Sequence, residues 1–328
     1  MADEPHLGRT NSNHLLLKHD IKHLAIVLIF NFSFSIRHLF QADQSLLPCL
    51  HKCFHVGKHF RVRRIHAFEF EDLTWFPKNL RNYGTDFLQF GANAFDMYKG
   101  VMPIILKGVQ SSGNRTVIDI ASGGGGGLVK IADHLKNSIP HIKIILSDYY
   151  PNIAAFKRTK AKKPDVFEFI EYSVNAIDVP PHLKGFRTQF LSFHYFRPKD
   201  AKAILQNEVD NNQAIGIFEA QQRNSKHLIQ RLFSPIAVLL MTPFIKPFKF
   251  DRILFTYLIP VIPLFVLWDG IVSVLRTYTV TELNEMILEV RNHALFDWEV
   301  GIAKGSSNDV LYLLGIPKEN VCQQQVWQ

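Results

Sequence analysis

Cysteine is scarce: Cys49, Cys53 and Cys322 are the three in 328 residues. Three cysteines cannot build a disulfide framework, so a reducing compartment is expected. Charge is limited to 20% of residues, and glycine and proline to 18 and 16, while 47% are hydrophobic. That balance excludes a disordered or fibrous chain and leaves a globular one with a sizeable core. No internal repeat is visible. The net charge of +8 is unevenly spread. Residues 1–66 hold nine Lys/Arg against four acids, and nine of the 15 histidines, so the remaining residues carry only +3. Such a body lacks the basic footprint that a phosphate backbone demands, and nucleic acid is not expected as a partner.

Two domains follow from this. Residues 1–66 read as a basic, His-rich, poorly ordered extension, and 67–328 as the folded domain. The extension contains one uncharged stretch, Leu24–Ile36, short for a membrane span of about 20 residues. A signal segment is the weaker reading, because the flank before it carries acids and no small-residue cleavage site follows. Cys49, His51, Cys53 and His55 alternate but lack the turn between ligand pairs that zinc sites use, so no metal is expected.

From about Thr74 the pattern is orderly. Helices are expected after Pro77 and over Tyr98–Val109, followed by strands alternating with helices. The expected strands are Thr116–Ile120, Lys143–Leu146, Phe167–Tyr172, Thr188–Phe193 and Ala214–Phe218. A helix near Thr281–Arg291 and an antiparallel pair, Phe296–Val300 and Val310–Leu314, close the domain. This alternation predicts an α/β, doubly wound, mostly parallel seven-stranded sheet. One insertion interrupts it, an apolar segment at about 225–278 split by Pro235, Pro243, Pro247, Pro260 and Pro263. Prolines and Asp269 inside the uncharged run from Ile253 argue for broken helices forming a cap rather than a span.

The chemistry concentrates in VIDIASGGGGG, residues 117–127, where a strand ends in an acid and glycines open a helix. Glycine admits sharp turns and close ligand approach, and the helix start offers unpaired N–H groups. A P-loop would need Lys–Ser/Thr after Gly127, where Leu128 and Val129 stand. A dinucleotide loop would need a further glycine or alanine at those same positions, which disfavours an NAD(P)-dependent oxidoreductase.

Asp119 with Gly123 and Gly125 instead resembles the first motif of the class I S-adenosylmethionine-dependent methyltransferases, with Ala121 in place of the first glycine. The likeness continues in order along the chain. Asp148, with Tyr149 beside it, matches the acid that binds the ribose hydroxyls, a role that suits a carboxylate's two acceptor oxygens. Asn175 and Ala176 match the loop that reads adenine. Ser192–Phe196 matches the end of the fourth strand, expected to be exposed beside the sulfonium. The resemblance implies a Rossmann-like methyltransferase fold with a helical N-terminal lid. It also implies S-adenosylmethionine as cofactor, its amino-acid tail lying over bare loop backbone. His194 would be the base where an acceptor needs one, with Tyr195 orienting. The cap suggests a small apolar, lipid-like acceptor. The sequence is silent on the atom methylated and on oligomeric state. A cytoplasmic enzyme with peripheral membrane contact is expected; the competing reading is a membrane-associated interaction protein with a degenerate loop.

Overall fold

The computed structural model describes residues 62–305 and 309–318. Leu24–Ile36 and the Cys49, His51, Cys53, His55 group lie outside the described residues.

In chain order the principal elements are α1 (Lys78–Ala94), α2 (Met102–Ser111), β1 (Thr116–Asp119), α3 (Leu128–Ser138), β2 (Lys143–Leu146), α4 (Ile153–Lys162), β3 (Phe167–Phe169) and β4 (Phe186–Phe190). They continue with α5 (Pro198–Asp210), β5 (Ile215–Glu219), α6 (Ser225–Leu232), α7 (Ser234–Met241), α8 (Phe250–Ile253), α9 (Val261–Arg276), α10 (Val280–Leu288), β6 (Phe296–Ala303) and β7 (Val310–Pro317). The seven strands form one sheet in the order β3-β2-β1-β4-β5-β7-β6. The first five are parallel, whereas β7 runs antiparallel to both β5 and β6. The sheet is therefore mixed, with a parallel body and an antiparallel edge.

Helices cover both faces, so the inner strands β1, β4 and β5 are buried almost throughout; β4 includes buried Arg187, Thr188 and Gln189, with Arg187 paired to Glu208 at 2.8 Å. Val117 sends its side chain into one core layer with Leu128, Leu135, Ile144 and Phe186. Ile118, the next residue, enters the opposite layer with Ile204, Ile217 and Leu283. A third cluster, including Phe76, Tyr83, Ile262 and Phe265, joins α1 to the 225–278 insertion.

Prolines break that insertion as their missing N–H and fixed φ dictate. Its two helical pairs bend by 45° and 77°, and among the described residues no single helix is long and apolar enough to cross a membrane. Buried polar groups pin it down. Arg276 pairs with Glu69 at 3.2 Å and with Asp72, and Asp269 accepts from Phe70 N at 2.7 Å. Upstream, Arg64 donates to the carbonyls of Arg276 (2.6 Å) and Phe196 (3.0 Å) and lies over the Tyr278 ring. The strap that ties the N-terminal side to the domain thus begins at Arg64, inside the stretch that charge alone assigns to the extension.

Two strand assignments are corrected. β3 stops at Phe169. β4 is shifted, running from Phe186 to Phe190, because Leu191 adopts φ 51° and turns the chain into a short 3-10 turn at Phe193–Tyr195. A branched residue in the left-handed region is an outlier that leucine does not announce.

Candidate functional site

The sheet's order reverses between β1 and β4, and in such sheets ligands bind beyond the strand C-termini at that reversal. Both strands point their C-terminal ends at the glycine run. Asp119, the last residue of β1, is buried, and its Oδ1 accepts from Thr188 Oγ1 on β4 at 3.1 Å. Burial pushes this carboxyl up to about 7, with the hydroxyls of Ser122 and Thr188 drawing it back. The Asp119 carbonyl also accepts from Ser122 Oγ, Ser147 Oγ and Ser147 N, which locks the loop to the end of β2.

Gly123 and Gly125 take φ of 53° and 94°, conformations that side chains seldom adopt. The turn at Gly123 aims its N–H at Asp148, whose Oδ2 accepts it at 2.8 Å. Oδ1 of the same carboxylate accepts from Tyr150 N at 2.8 Å. Each oxygen keeps a second lone pair for another donor.

The loop holding Asn175 is tied to the same place. Val174 N donates to the Asp148 carbonyl at 2.9 Å, and Ser173 Oγ donates to the Tyr149 carbonyl at 2.7 Å. Asn175 is exposed and folds its loop back by accepting from Ile177 N at 3.0 Å, while Ala176 is buried. Tyr149 stands half-exposed beside Tyr150. The structure thus brings together Asp119, Ala121, Gly123, Gly125, Asp148, Tyr149, Asn175 and Ala176.

The far half of the loop departs from expectation. Its backbone is not bare, because α1 packs on it. Gln89 donates to the Gly124 carbonyl at 2.6 Å and Asn93 to the Gly126 carbonyl at 2.7 Å. A Cβ added at Gly124 would lie 2.7 Å from Thr85 Cγ2, and one at Gly127 would strike the Tyr98 ring. At Gly123 the nearest atom is 3.8 Å from such a Cβ. At Gly126 nothing lies within 4 Å of such a Cβ, so the loop is open at both positions, of which Gly123 adjoins Asp148.

His194 and Tyr195 belong to a second group. The end of the fourth strand, expected to be exposed, is buried at Ser192, Phe193 and His194, because the strap and α9 fold over it. His194 Nδ1 donates to Glu219 Oε2 at 2.9 Å, and its Nε2 lies 3.9 Å from Glu69 Oε1. Burial alone would lower the imidazole's pKa, but the two carboxylates outweigh it, and the net shift is upward. That shift favours the protonated imidazole, the form a general base does not use. Tyr195 donates to Glu71 Oε2 at 3.5 Å, and Arg276 lies over its ring. Among the described residues, no hydrogen bond or ion pair links His194 or Tyr195 to Asp148 or the glycine loop. A cavity of about 10 Å³, room for about one water molecule, is lined by Phe193, Glu219, Tyr278 and Leu283 among others. Ordinary small-molecule sites start at roughly 300 Å³.

The residues that sequence reasoning missed are Glu69, Asp72 and Arg276, with Asp269 seen only as a break in an apolar run. No local motif marks them. Partners such as Glu69 and Arg276 are 207 positions apart, so the acidic FEFED at 68–72 was the one available signal.

No protein-family model matches the sequence, and no curated protein matches it. Solved structures similar in fold include the pyocyanin biosynthetic protein PhzM. That match has 11% identity over 69% of this chain and 56% of PhzM, with a TM-score of 0.42. Human N-acetylserotonin methyltransferase, solved in complex with S-adenosylmethionine, is 12% identical over 71% of this chain and 56% of that one, TM-score 0.41. The methyltransferase domain of a bacterial CtHen1 is 11% identical over 67% of this chain and 99% of that domain, TM-score 0.41. The chain spans little more than half the length of the first two. At such identities and scores the likeness is one of outline, and function has to be argued from the residues themselves.

Proposed function

We propose that the chain binds S-adenosylmethionine at Asp148 and the glycine loop and transfers its methyl group to a small apolar acceptor. The observation that carries this reading is the Asp148 carboxylate seated on the Gly123 N–H at the end of β2. There it retains a free lone pair on each oxygen, which fits two neighbouring ribose hydroxyls. Asn175 and Tyr149, bound to the same turn, fit the purine side. Asp119 holds the loop to β4 through the Thr188 hydroxyl.

When bound, the cofactor supplies a methyl group already activated on a sulfonium, so the protein's task is alignment and exclusion of water. α1 performs the exclusion, acting as a lid whose Gln89 and Asn93 hold the loop carbonyls. We assign His194 and Tyr195 a positioning role, because the imidazole is enclosed and its Nδ1 is bonded to Glu219. The insertion at 225–278 acts as the cap over the acceptor, and its phenyl and aliphatic inner wall favours an apolar one.

The test is a melting experiment with S-adenosylmethionine and with NADH, since a ligand that binds only the folded state raises the transition temperature. S-adenosylmethionine should raise it and NADH should not. With methyl-labelled cofactor and a panel of phenolic, carboxylic and amine acceptors, label should pass into solvent-extractable product. Stabilisation by NADH alone, or label confined to polar acceptors, would overturn the cofactor and the acceptor assignments respectively.

A further inference from the structure

The insertion at 225–278 carries a second face that the proposed chemistry does not use. Its inner side is fixed to the body: Ile262 and Phe265 are buried, and Arg252 reaches Asp86 at 3.1 Å. Its outer side is unusually apolar. Phe250 is 77% exposed, Leu258 75%, Phe248 67% and Leu264 62%. These positions adjoin one another. α7 and the helical turn at Leu254–Leu258 are packed together, with the Tyr257 hydroxyl donating to the Leu239 carbonyl. Leu239 and Leu240 extend the same exposed surface. A patch of this kind marks an interaction site.

Charge decides what fits it. The insertion has two acids: Asp269 is buried and accepts from Phe70 N, and Asp251, partly exposed, is engaged by the Tyr83 hydroxyl and the Arg252 N–H. The exposed tip instead interleaves bases with aromatics: Lys246, Pro247, Phe248, Lys249, Phe250. Lys246 is exposed, whereas Lys249 lies over the Tyr83 ring and pairs with Asp86 at 3.6 Å, so Lys246 is the tip's outward base. Apolar side chains flanked by lysines, with the one partly exposed acid engaged by Tyr83, form the pattern of a surface that enters the headgroup layer of an anionic bilayer. A second copy docking through the same tip by twofold symmetry would set these lysines against their own images.

We propose that this outer face, led by the Lys246–Phe250 tip and the bend at Leu258–Pro260, seats the protein on an anionic membrane without crossing it. The proposal does not depend on the methyl-transfer reading. The insertion's buried ion pairs hold its inner face to the body, so it lies on the bilayer rather than through it.

The test is flotation of the full chain with vesicles of equal parts phosphatidylcholine and phosphatidylglycerol, and with phosphatidylcholine alone. Binding to the mixed vesicles should exceed binding to the neutral ones and weaken with salt. Phe250→Asp combined with Leu258→Asp should lower the partition coefficient by about tenfold or more, with an unchanged melting temperature because both side chains are exposed. Lys246→Glu should lower it severalfold. Failure of the full chain to float, or flotation of the double variant like the parent, would overturn the proposal. The latter would place the anchor elsewhere, for example at Leu24–Ile36. A dimer in solution that the double variant dissolves, without vesicle binding, would also overturn it.

Discussion

Two regions at the C-terminal edge of the sheet are built in contrasting ways. Around Asp148 the outer polar groups, Asp148 and Asn175, are at least partly exposed and held by the backbone N–H groups of Gly123, Tyr150 and Ile177, with Asp119 buried beneath them. Around His194 the polar groups are buried and held by side chains from the strap, β5 and α9. The first arrangement leaves lone pairs free for a ligand; the second sets its charges against one another, and what it secures is the position of the strap and the 225–278 insertion. Raised or lowered pKa values occur in both regions, so perturbation alone does not mark a binding site. What separates them is whether a polar group has capacity left and a path to solvent.

The contrast can be broken most forcefully at Arg276. Arg276→Ala would leave Glu69 with one fewer cation in the buried cluster and should cost about 3–5 kcal/mol in stability, measured by urea unfolding. A loss under about 1 kcal/mol would mean that the network is ornamental.

A smaller effect is expected from Asp269, whose carboxyl burial pushes up to about 7. A carboxyl that binds its proton more tightly in the folded state loses stability as pH rises from its ordinary range, near 4, to its folded value, near 7. Asp269→Asn should therefore become progressively more favourable relative to the parent between pH 4 and 7, by about 1–3 kcal/mol in all. His66 and His227, both lowered to about 4, act in the opposite sense below pH 6.5, and taking the difference between variant and parent removes them. A pH-independent difference would place the ionised carboxylate in water.

The smallest effect concerns α1. Gln89→Ala removes one bond to the glycine loop and should cost about 0.5–1.5 kcal/mol in stability while speeding ligand entry, seen by stopped-flow binding. Slower entry would show that α1 is not the lid.

The same contrast explains what the sequence made legible. β1 and β2 are short β-branched runs, each followed closely by an acid, and the bonds between their loops are made largely by backbone groups. Asp119, Gly123 and Asp148 could therefore be placed from spacing, and the seven-stranded sheet from the alternation around them. The end of β4 could not, because the left-handed backbone at Leu191 has no signature in a leucine. Glu69, Asp269 and Arg276 were equally hidden, since their partnership exists only after the insertion has folded against the strap.

Binding affinity for S-adenosylmethionine, measured by calorimetry on the parent, Asp148→Ala, Asp148→Asn and His194→Gln, tests the central claim most directly. Asp148→Ala should weaken binding by about a hundredfold, in line with about 2–3 kcal/mol for hydrogen bonds to a charged group, and alter melting little. Asp148→Asn should fall between it and the parent. His194→Gln should lower the melting temperature and leave affinity within a few-fold. Parental affinity in Asp148→Ala would contradict the account, whatever the other variants showed.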